Sequence, residues 1–352
     1  MTTSERVLVA MSGGVDSSVA AALLLEAGND VVGATLKLWG GESDSGCCSV
    51  ADVDDARWVA SRLGIEHHTF SFGDDFDAHV VAPYVADHAA GRTPHPCIEC
   101  NRHLKFDRLL RRADALGFDA VATGHHARIV EHADGGRRVA RGADPAKDQS
   151  YVVHMLDDAT LAGVRFPVGH LTKEDVRAVA SRLGLGTADK PDSQDVCFIT
   201  STGGRAEFLR RRIAMTPAHV VDTAGRPVGT LPAGELVTEG QRKGLGPPGG
   251  APQRFVVEVD RATATVVVGD EDDLQDDGLA VEQVTWVGGA VDGELLVQTS
   301  AHGVPHRAVV VCRPDARVDV CWLAPQRRVA VGQSVVFYDR SDRYVLGGGI
   351  AS

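Results

Sequence analysis

Two groups of residues in this 352-residue chain have types and spacing suited to chemistry. The first is Ala10-Met11-Ser12-Gly13-Gly14-Val15-Asp16-Ser17-Ser18, which joins an apolar strand (Arg6 to Ala10) to an apolar helix (Val19 to Ala27). Gly13 and Gly14 let the backbone approach an anion closely. Ser12, Ser17 and Ser18 add hydroxyl donors at a helix N-terminus carrying about half a positive charge. No lysine follows the glycines, so this is not the Gly-x-x-x-x-Gly-Lys-Ser/Thr loop that cradles transferable β/γ-phosphates. It still reads as a phosphate-holding turn, and it points to ATP. The second group is Thr93-Pro94-His95-Pro96-Cys97-Ile98-Glu99-Cys100-Asn101, whose two prolines set an extended approach and whose Cys100 falls just before a helix expected from Asn101. A thiol there, beside Arg102 and Lys105, has its thiolate favoured relative to the free value of about 8.5, and the thiolate is both nucleophile and metal ligand. Cys197, in Asp192-Ser193-Gln194-Asp195-Val196-Cys197-Phe198, supplies a third thiol. One Cys-x-x-Cys pair alone also fits small core residues or part of a zinc site, which Cys47-Cys48 or a histidine would have to complete.

The elements that must position these groups alternate. Val31 to Leu38, Glu66 to Phe70 and Ala120 to Ala122 read as strands, and Ala51 to Leu63, Asp74 to Ala90, Asn101 to Leu116 and Lys173 to Leu183 as helices. That alternation predicts a parallel sheet covered on both faces. After about Gly203 a short basic helix leads into a Gly- and Pro-rich stretch that includes Gly244 to Gly250. From Phe255 onward short Val-rich runs separated by turn residues predict a small barrel or sandwich. The length suits two or three domains, divided here near 204 and 275: 1–204, 205–275 and 276–352.

Seven cysteines at irregular spacing fit thiols kept reduced and used chemically rather than a disulfide framework. No run approaches about 18 uninterrupted apolar residues and no basic-then-apolar leader opens the chain, so a cytoplasmic protein is expected. The net charge of -12 argues against a nucleic-acid partner. Its distribution leaves room for one, because Arg102 to Arg112, Arg205 to Arg212 and Arg242-Lys243 are locally basic and the acid is concentrated at Glu271 to Asp277.

The Ser-Gly-Gly-x-Asp-Ser turn resembles the pyrophosphate loop of ATP pyrophosphatases, which adenylate an oxygen and release pyrophosphate. Over nearly its whole length the chain resembles the tRNA-specific 2-thiouridylase (MnmA/TrmU) family. The resemblance is carried by Met11 to Ser18, Gly91 to Pro94, Cys100-Asn101, Lys105-Phe106, Ala122 to His125, Lys147 to Tyr151, Phe166 to Gly169, Cys197-Phe198, Gly240 to Gly246 and Leu346 to Ile350. It implies an α/β fold: an N-terminal pyrophosphate-loop domain (adenine nucleotide alpha hydrolase-like, Rossmann-like), a small central domain and a C-terminal β-barrel that binds tRNA. It also implies a tRNA-uridine 2-sulfurtransferase using ATP and Mg²⁺, acting on the anticodon stem-loop of tRNAs for lysine, glutamate and glutamine. A cysteine desulfurase or persulfide relay protein would supply the sulfur.

The same resemblance assigns residues. Ala10, Met11, Ser12, Gly13, Gly14, Val15, Asp16 and Ser17, with Leu36 and Gly124, bind ATP, and Asp16 either helps hold Mg²⁺ and pyrophosphate or caps the helix. Cys197 carries a persulfide that attacks C2 of the adenylated uridine. Cys100 discharges it, leaving a disulfide between the two. His95, Pro96 and Cys97 meet the flipped target base, and His125, Lys147, Asp148 and Gln149 meet the base or tRNA. Three departures stand out. Cys97 replaces an aspartate common in the family, so Cys97, Cys100 and Cys197 are also a candidate ligand set for a [4Fe-4S] cluster that would deliver sulfide instead. Thr299-Ser300-Ala301 stands where an arginine-tyrosine pair is usual, and Leu236 to Glu239 lacks a usual tyrosine and isoleucine. A non-catalytic tRNA binder or sulfur relay, and an amide-forming ligase, are the competing classes; thiol dependence separates the enzymes.

Overall fold

The computed structural model describes residues 4–38, 50–192, 196–199, 203–242 and 254–352. Cys47, Cys48, Ser193 to Asp195 and the glycines from Gly244 to Gly250 lie outside the described residues. The N-terminal part runs β1 (Arg6–Ala10), α1 (Val15–Glu26), β2 (Asp30–Lys37), α2 (Val50–Leu63), β3 (Glu66–Ser71), α3 (Gly73–Phe76), α4 (Ala82–Ala89), α5 (Pro96–Glu99), α6 (Leu109–Ala115) and β4 (Ala120–Thr123). A hairpin of β5 (Ala127–Glu131) and β6 (Arg137–Arg141) follows, then α7 (Asp158–Ala162), β7 (Val164–Arg165), α8 (Lys173–Arg182) and α9 (Gly204–Arg210). The five strands of the main sheet are parallel in the order β3-β2-β1-β4-β7. Both faces are covered, which is why β1 is apolar throughout rather than alternating. Successive side chains point to opposite sides: Val7 and Val9 pack with Val19, Val59 and Val176, whereas Leu8 packs with Phe76, Leu104 and Phe198.

The chain winds outward from β1 in both directions, so the strand order reverses between β1 and β4. The crevice at the carboxyl ends of those strands is where ligands bind in open α/β sheets. The phosphate-type turn leaves β1 at that crevice.

One expectation is corrected. Cys100 does not precede its helix: the helical run begins at Pro96 and continues unbroken to Ala115, with wider, π-type turns over Cys100–Arg108. Pro96 explains the earlier start, because its fixed φ and missing N–H suit the first helical position. The wide turns begin at Cys100, and such turns occur frequently at functional sites.

The remainder is β structure. Strands β8 (Ala218–Asp222), β9 (Pro227–Leu231), β10 (Phe255–Asp260) and β11 (Thr265–Gly269) form a four-stranded sheet in the order β10-β11-β8-β9. Strands β12 (Gln275–Trp286), β13 (Gly293–Gln298), β14 (His306–Cys312), β15 (Val318–Arg327), β16 (Ser334–Tyr338) and β17 (Val345–Ala351) close a barrel in the order β12-β15-β14-β13-β16-β17. Closure by β17 on β12 removes the exposed edges of an open antiparallel sheet. The first two Val-rich runs therefore belong to the middle sheet and not to the barrel.

The barrel is fused to the N-terminal part through a common core. Ile98, Phe106, Tyr151 and Val153 pack with Val287, Val336, Tyr338 and Val345. Tyr151 donates its hydroxyl proton to the Ser334 carbonyl at 2.7 Å. Arg141 ties the hairpin to both partners, reaching Asp148 at 2.9 Å, Gln298 at 2.8 Å and Asp342 at 2.6 Å, and lying 3.7 Å over the Tyr338 ring.

Candidate active site

A cavity of about 560 Å³ opens at the crevice and takes in both reactive groups. Ser12, Gly14, Val15, Asp16 and Ser17 line one side, Cys97, Cys100 and Cys197 another, with His95, Pro96, His125, Lys147, Asp148 and Gln149 between them. Residues more than a hundred positions apart in sequence thus share one space.

On the phosphate side, Gly14 begins α1 in extended conformation and no side chain caps the helix, so its first-turn N–H groups are open to an anion. Gly13 takes φ +72°, and a Cβ on it would lie 2.3 Å from the Asp52 carbonyl oxygen. Gly124, at the end of β4, is equally constrained, since a Cβ there would lie 2.5 Å from the Ser17 amide. Met11 and Leu36 are buried beneath the turn, where the Met11 carbonyl accepts from the Thr35 hydroxyl at 2.8 Å.

The lysine absent from the turn arrives from elsewhere. Lys173, the first residue of α8, donates to both Asp16 carboxylate oxygens at 2.7 and 2.8 Å, and His126 Nε2 lies 2.9 Å from Asp16 Oδ1. Lys190 donates to the Gly13 carbonyl at 3.0 Å and to Asp52 at 2.7 Å. Lys147 donates to Asp192 at 2.8 Å, and Lys173 also pairs with that carboxylate at 2.9 Å. Burial pushes the Asp192 carboxyl up, but hydrogen bonds from Lys147 and Lys173 outweigh it and bring its pKa down to about 2. Burial likewise opposes ionisation of Asp16, and His126 and Lys173 overcome it, holding Asp16 below its ordinary value. Three lysines thus line the cavity, each paired with a carboxylate. Sequence reading missed Lys173, Lys190 and His126. The only local signal was the capping box at Thr172 and Asp175, which starts α8 and places Lys173 in its first turn.

On the thiol side, Cys100 is 8% exposed and packs with Leu104, Phe198 and Cys197 in one apolar cluster. Cys97 is exposed and Cys197 half-buried. Burial holds the His95 imidazole below its ordinary pKa. Of the other candidates, His125 is buried against Phe106 and Phe166, with Thr123 Oγ1 2.7 Å from its Nδ1, and burial keeps it neutral. Asp148 accepts from Arg141, the Gly142 amide and Ser150, and the Gln149 carbonyl oxygen accepts from the His126 amide at 2.8 Å. Both residues line the cavity. Ala301 and His302 bring the barrel to the cavity rim. Among the described residues no group of three His, Cys, Asp or Glu side chains is arranged to hold a metal ion. No helix among them is long and apolar enough to cross a membrane.

A pyrophosphate-type turn at the switch point of a parallel sheet, sharing its cavity with thiols from two distant segments, defines a pyrophosphate-loop protein equipped for sulfur chemistry. Residues 5–201 match the family model described as tRNA methyl transferase HUP domain, and residues 276–351 the aminomethyltransferase beta-barrel domain. The chain is 46% identical to the tRNA-specific 2-thiouridylase MnmA of Acidothermus cellulolyticus, over 97% of this chain and 96% of that protein. It is 45% identical to the protein of the same name from Chloroflexus aurantiacus, over 97% of each, and 44% identical to that of Roseiflexus castenholzii, over 98% of each. The chain belongs to the tRNA-specific 2-thiouridylase family.

Proposed function

We propose that this protein is an ATP-dependent tRNA-uridine 2-sulfurtransferase that thiolates the wobble uridine of tRNAs for lysine, glutamate and glutamine. The observation that carries this reading is that one cavity is lined by Ser12, Gly14, Asp16 and Ser17 together with Cys100 and Cys197. Replacing an oxygen on C2 by sulfur needs a better leaving group than oxide, a sulfur nucleophile and a way to discharge the carrier. ATP, entering with Mg²⁺, has its phosphates on the open N–H groups of α1 and near Lys173 and Lys190, which exchange their carboxylate partners for phosphate oxygens. The uridine O2 attacks the α-phosphorus and pyrophosphate leaves. The terminal sulfur of a Cys197 persulfide attacks C2, and AMP departs with the former O2. Cys100 then attacks the Cys197 sulfur, expels the thiolated base and leaves a Cys100–Cys197 disulfide, which a reductant resets.

Pro96 and His95 line the space into which the uridine would be flipped, and Lys147 supplies positive charge for the tRNA backbone. The chain is read as three units, 1–204, 205–275 and 276–352, a division supported by the separate parallel sheet, middle sheet and barrel. The sulfur comes from a cysteine desulfurase or persulfide relay protein in the cytoplasm. The test is incubation of the protein with unmodified glutamate tRNA, Mg²⁺ and a persulfide source, with and without ATP, reading 2-thiouridine on a mercury-affinity gel. Thiolation only with ATP is expected. No thiolation with intact tRNA and an active donor would point to another pyrophosphate-loop ligase.

A further inference from the structure

The scheme just given ends with a Cys100–Cys197 disulfide that must be reduced before the next turnover. Cys100 is 8% exposed, and Cys197 lies half-buried in the same cavity. Thiol–disulfide exchange requires an attacking thiolate to reach a disulfide sulfur along its axis, and Cys100 offers it little exposed surface. Cys97 lines that cavity too, and it is exposed.

Cys97 and Cys100 sit three residues apart in the helical run that starts at Pro96. Residues at that spacing share a helix face, and helix geometry separates their Cα atoms by about 5 Å. Disulfides form when that separation is about 4.4–6.8 Å, so the helix spacing of Cys97 and Cys100 is within the range of a bridge. An aspartate at position 97 could not exchange with a disulfide. The relay therefore belongs to this chain's own sequence.

We propose that Cys97 is a resolving thiol that moves the oxidation from the buried pair to the surface. The inference rests on the reading of Cys100 and Cys197 given above. The Cys97 thiolate forms a bond to the Cys100 sulfur, and the Cys100–Cys197 bond breaks with its electron pair leaving on Cys197. Cys197 takes up the proton that Cys97 released. No net oxidation occurs in this step. The resulting Cys97–Cys100 disulfide then takes two electrons and two protons from a dithiol reductant, which becomes a disulfide. Cys197 is already a thiol at that stage and can accept the next persulfide sulfur before the reductant has acted.

The test uses the full-length protein, loaded with persulfide, freed of reductant and given unmodified glutamate tRNA, ATP and Mg²⁺ for one turnover. After acid quench, alkylation and trypsin, mass spectrometry reads the peptide Thr93 to Arg102, which contains both cysteines. In the wild type this peptide is expected unalkylated, lighter by two hydrogens and not joined to another, in amounts matching the 2-thiouridine formed. In Cys97→Ser and Cys97→Asp it is expected cross-linked to the Cys197 peptide. A wild-type peptide cross-linked to Cys197 and alkylated on Cys97 overturns the relay while leaving the underlying chemistry intact, and this reading needs neither variant to fold. Formation of 2-thiouridine with no disulfide in any of the three proteins overturns the persulfide reading and the relay with it.

Discussion

At the scale of single residues, the account divides labour between thiols and lysines. Cys100→Ser and Cys197→Ser should each abolish 2-thiouridine formation while leaving ATP affinity within about twofold, because neither thiol is asked to bind phosphate; an amide-forming ligase would keep its turnover in both, and equilibrium nucleotide binding beside the mercury gel reads the difference. Lys173→Ala should weaken ATP or pyrophosphate binding by about tenfold to a hundredfold, the loss of one or two charge-assisted hydrogen bonds. An unchanged dissociation constant would confine Lys173 to its ion pairs with Asp16 and Asp192. Cys100 and the serine-glycine turn were legible in the sequence from short motifs with a local mechanism, whereas Cys197 was singled out by the family resemblance. Lys173, Lys190 and His126 were not, since their meaning comes only from being folded against a turn 110 to 177 positions away. Asp148 and Gln149 were legible as cavity residues, but not their partners within the chain: Asp148 accepts from Arg141 and the Gln149 side-chain oxygen from the His126 amide.

At the scale of elements, the turn after β1 works only if two other segments can press against it. Gly13→Ala places a Cβ against the start of α2 at a positive φ, which costs about 1–2 kcal/mol in backbone strain alone. It should lower ATP affinity by at least about tenfold. Gly28→Ala is the control, for its φ is also positive but nothing lies within 4 Å of the added carbon. It should lower thermal stability slightly and leave nucleotide binding intact; equal losses of ATP binding in both would show that strain rather than the contact with Asp52 matters. The parallel strands were legible because their apolar runs are bounded by helical patterns. The middle sheet was not. Its β9 contains Pro227 and Gly229 and is largely exposed, so it lacks the apolar alternation that marks a half-buried strand. The early start of the helix at Pro96 was hidden because Ile98 is a single buried apolar residue flanked by Cys97 and Glu99, too short a stretch to show a helical period before Leu104.

At the scale of the molecule, the catalytic part and the barrel meet over buried groups that titrate. His154 is fully buried, neither ring nitrogen has a hydrogen-bond partner, and a Cβ on Gly348 of β17 would lie 2.5 Å from its Nδ1. Burial, with Arg102 and His95 nearby, pushes its pKa down to about 3, and burial beside Arg205 and Arg261 pushes His88 down to about 4. A histidine whose folded pKa lies below its unfolded value of about 6.5 costs no stability above that value. It destabilises progressively as pH falls from 6.5 toward the folded pKa, because the unfolded chain takes up the proton. Denaturant midpoints should therefore fall between pH 7 and pH 5, and less steeply in His154→Leu; parallel slopes in the two proteins would remove His154 from that linkage. The barrel and its order along the chain were legible from Val-rich runs, but the Arg141 joint and the common core around Tyr151 were not, because they pair segments nearly 200 residues apart.

The central claim is that ATP activates the uridine oxygen, and it is tested most directly by following that atom. Glutamate tRNA carrying ¹⁸O at C2 of its wobble uridine would be thiolated with ATP, and the nucleotide product examined by mass spectrometry. The account predicts AMP that carries the label, with pyrophosphate unlabelled. Label in water or in inorganic phosphate, or ADP in place of AMP, would contradict it.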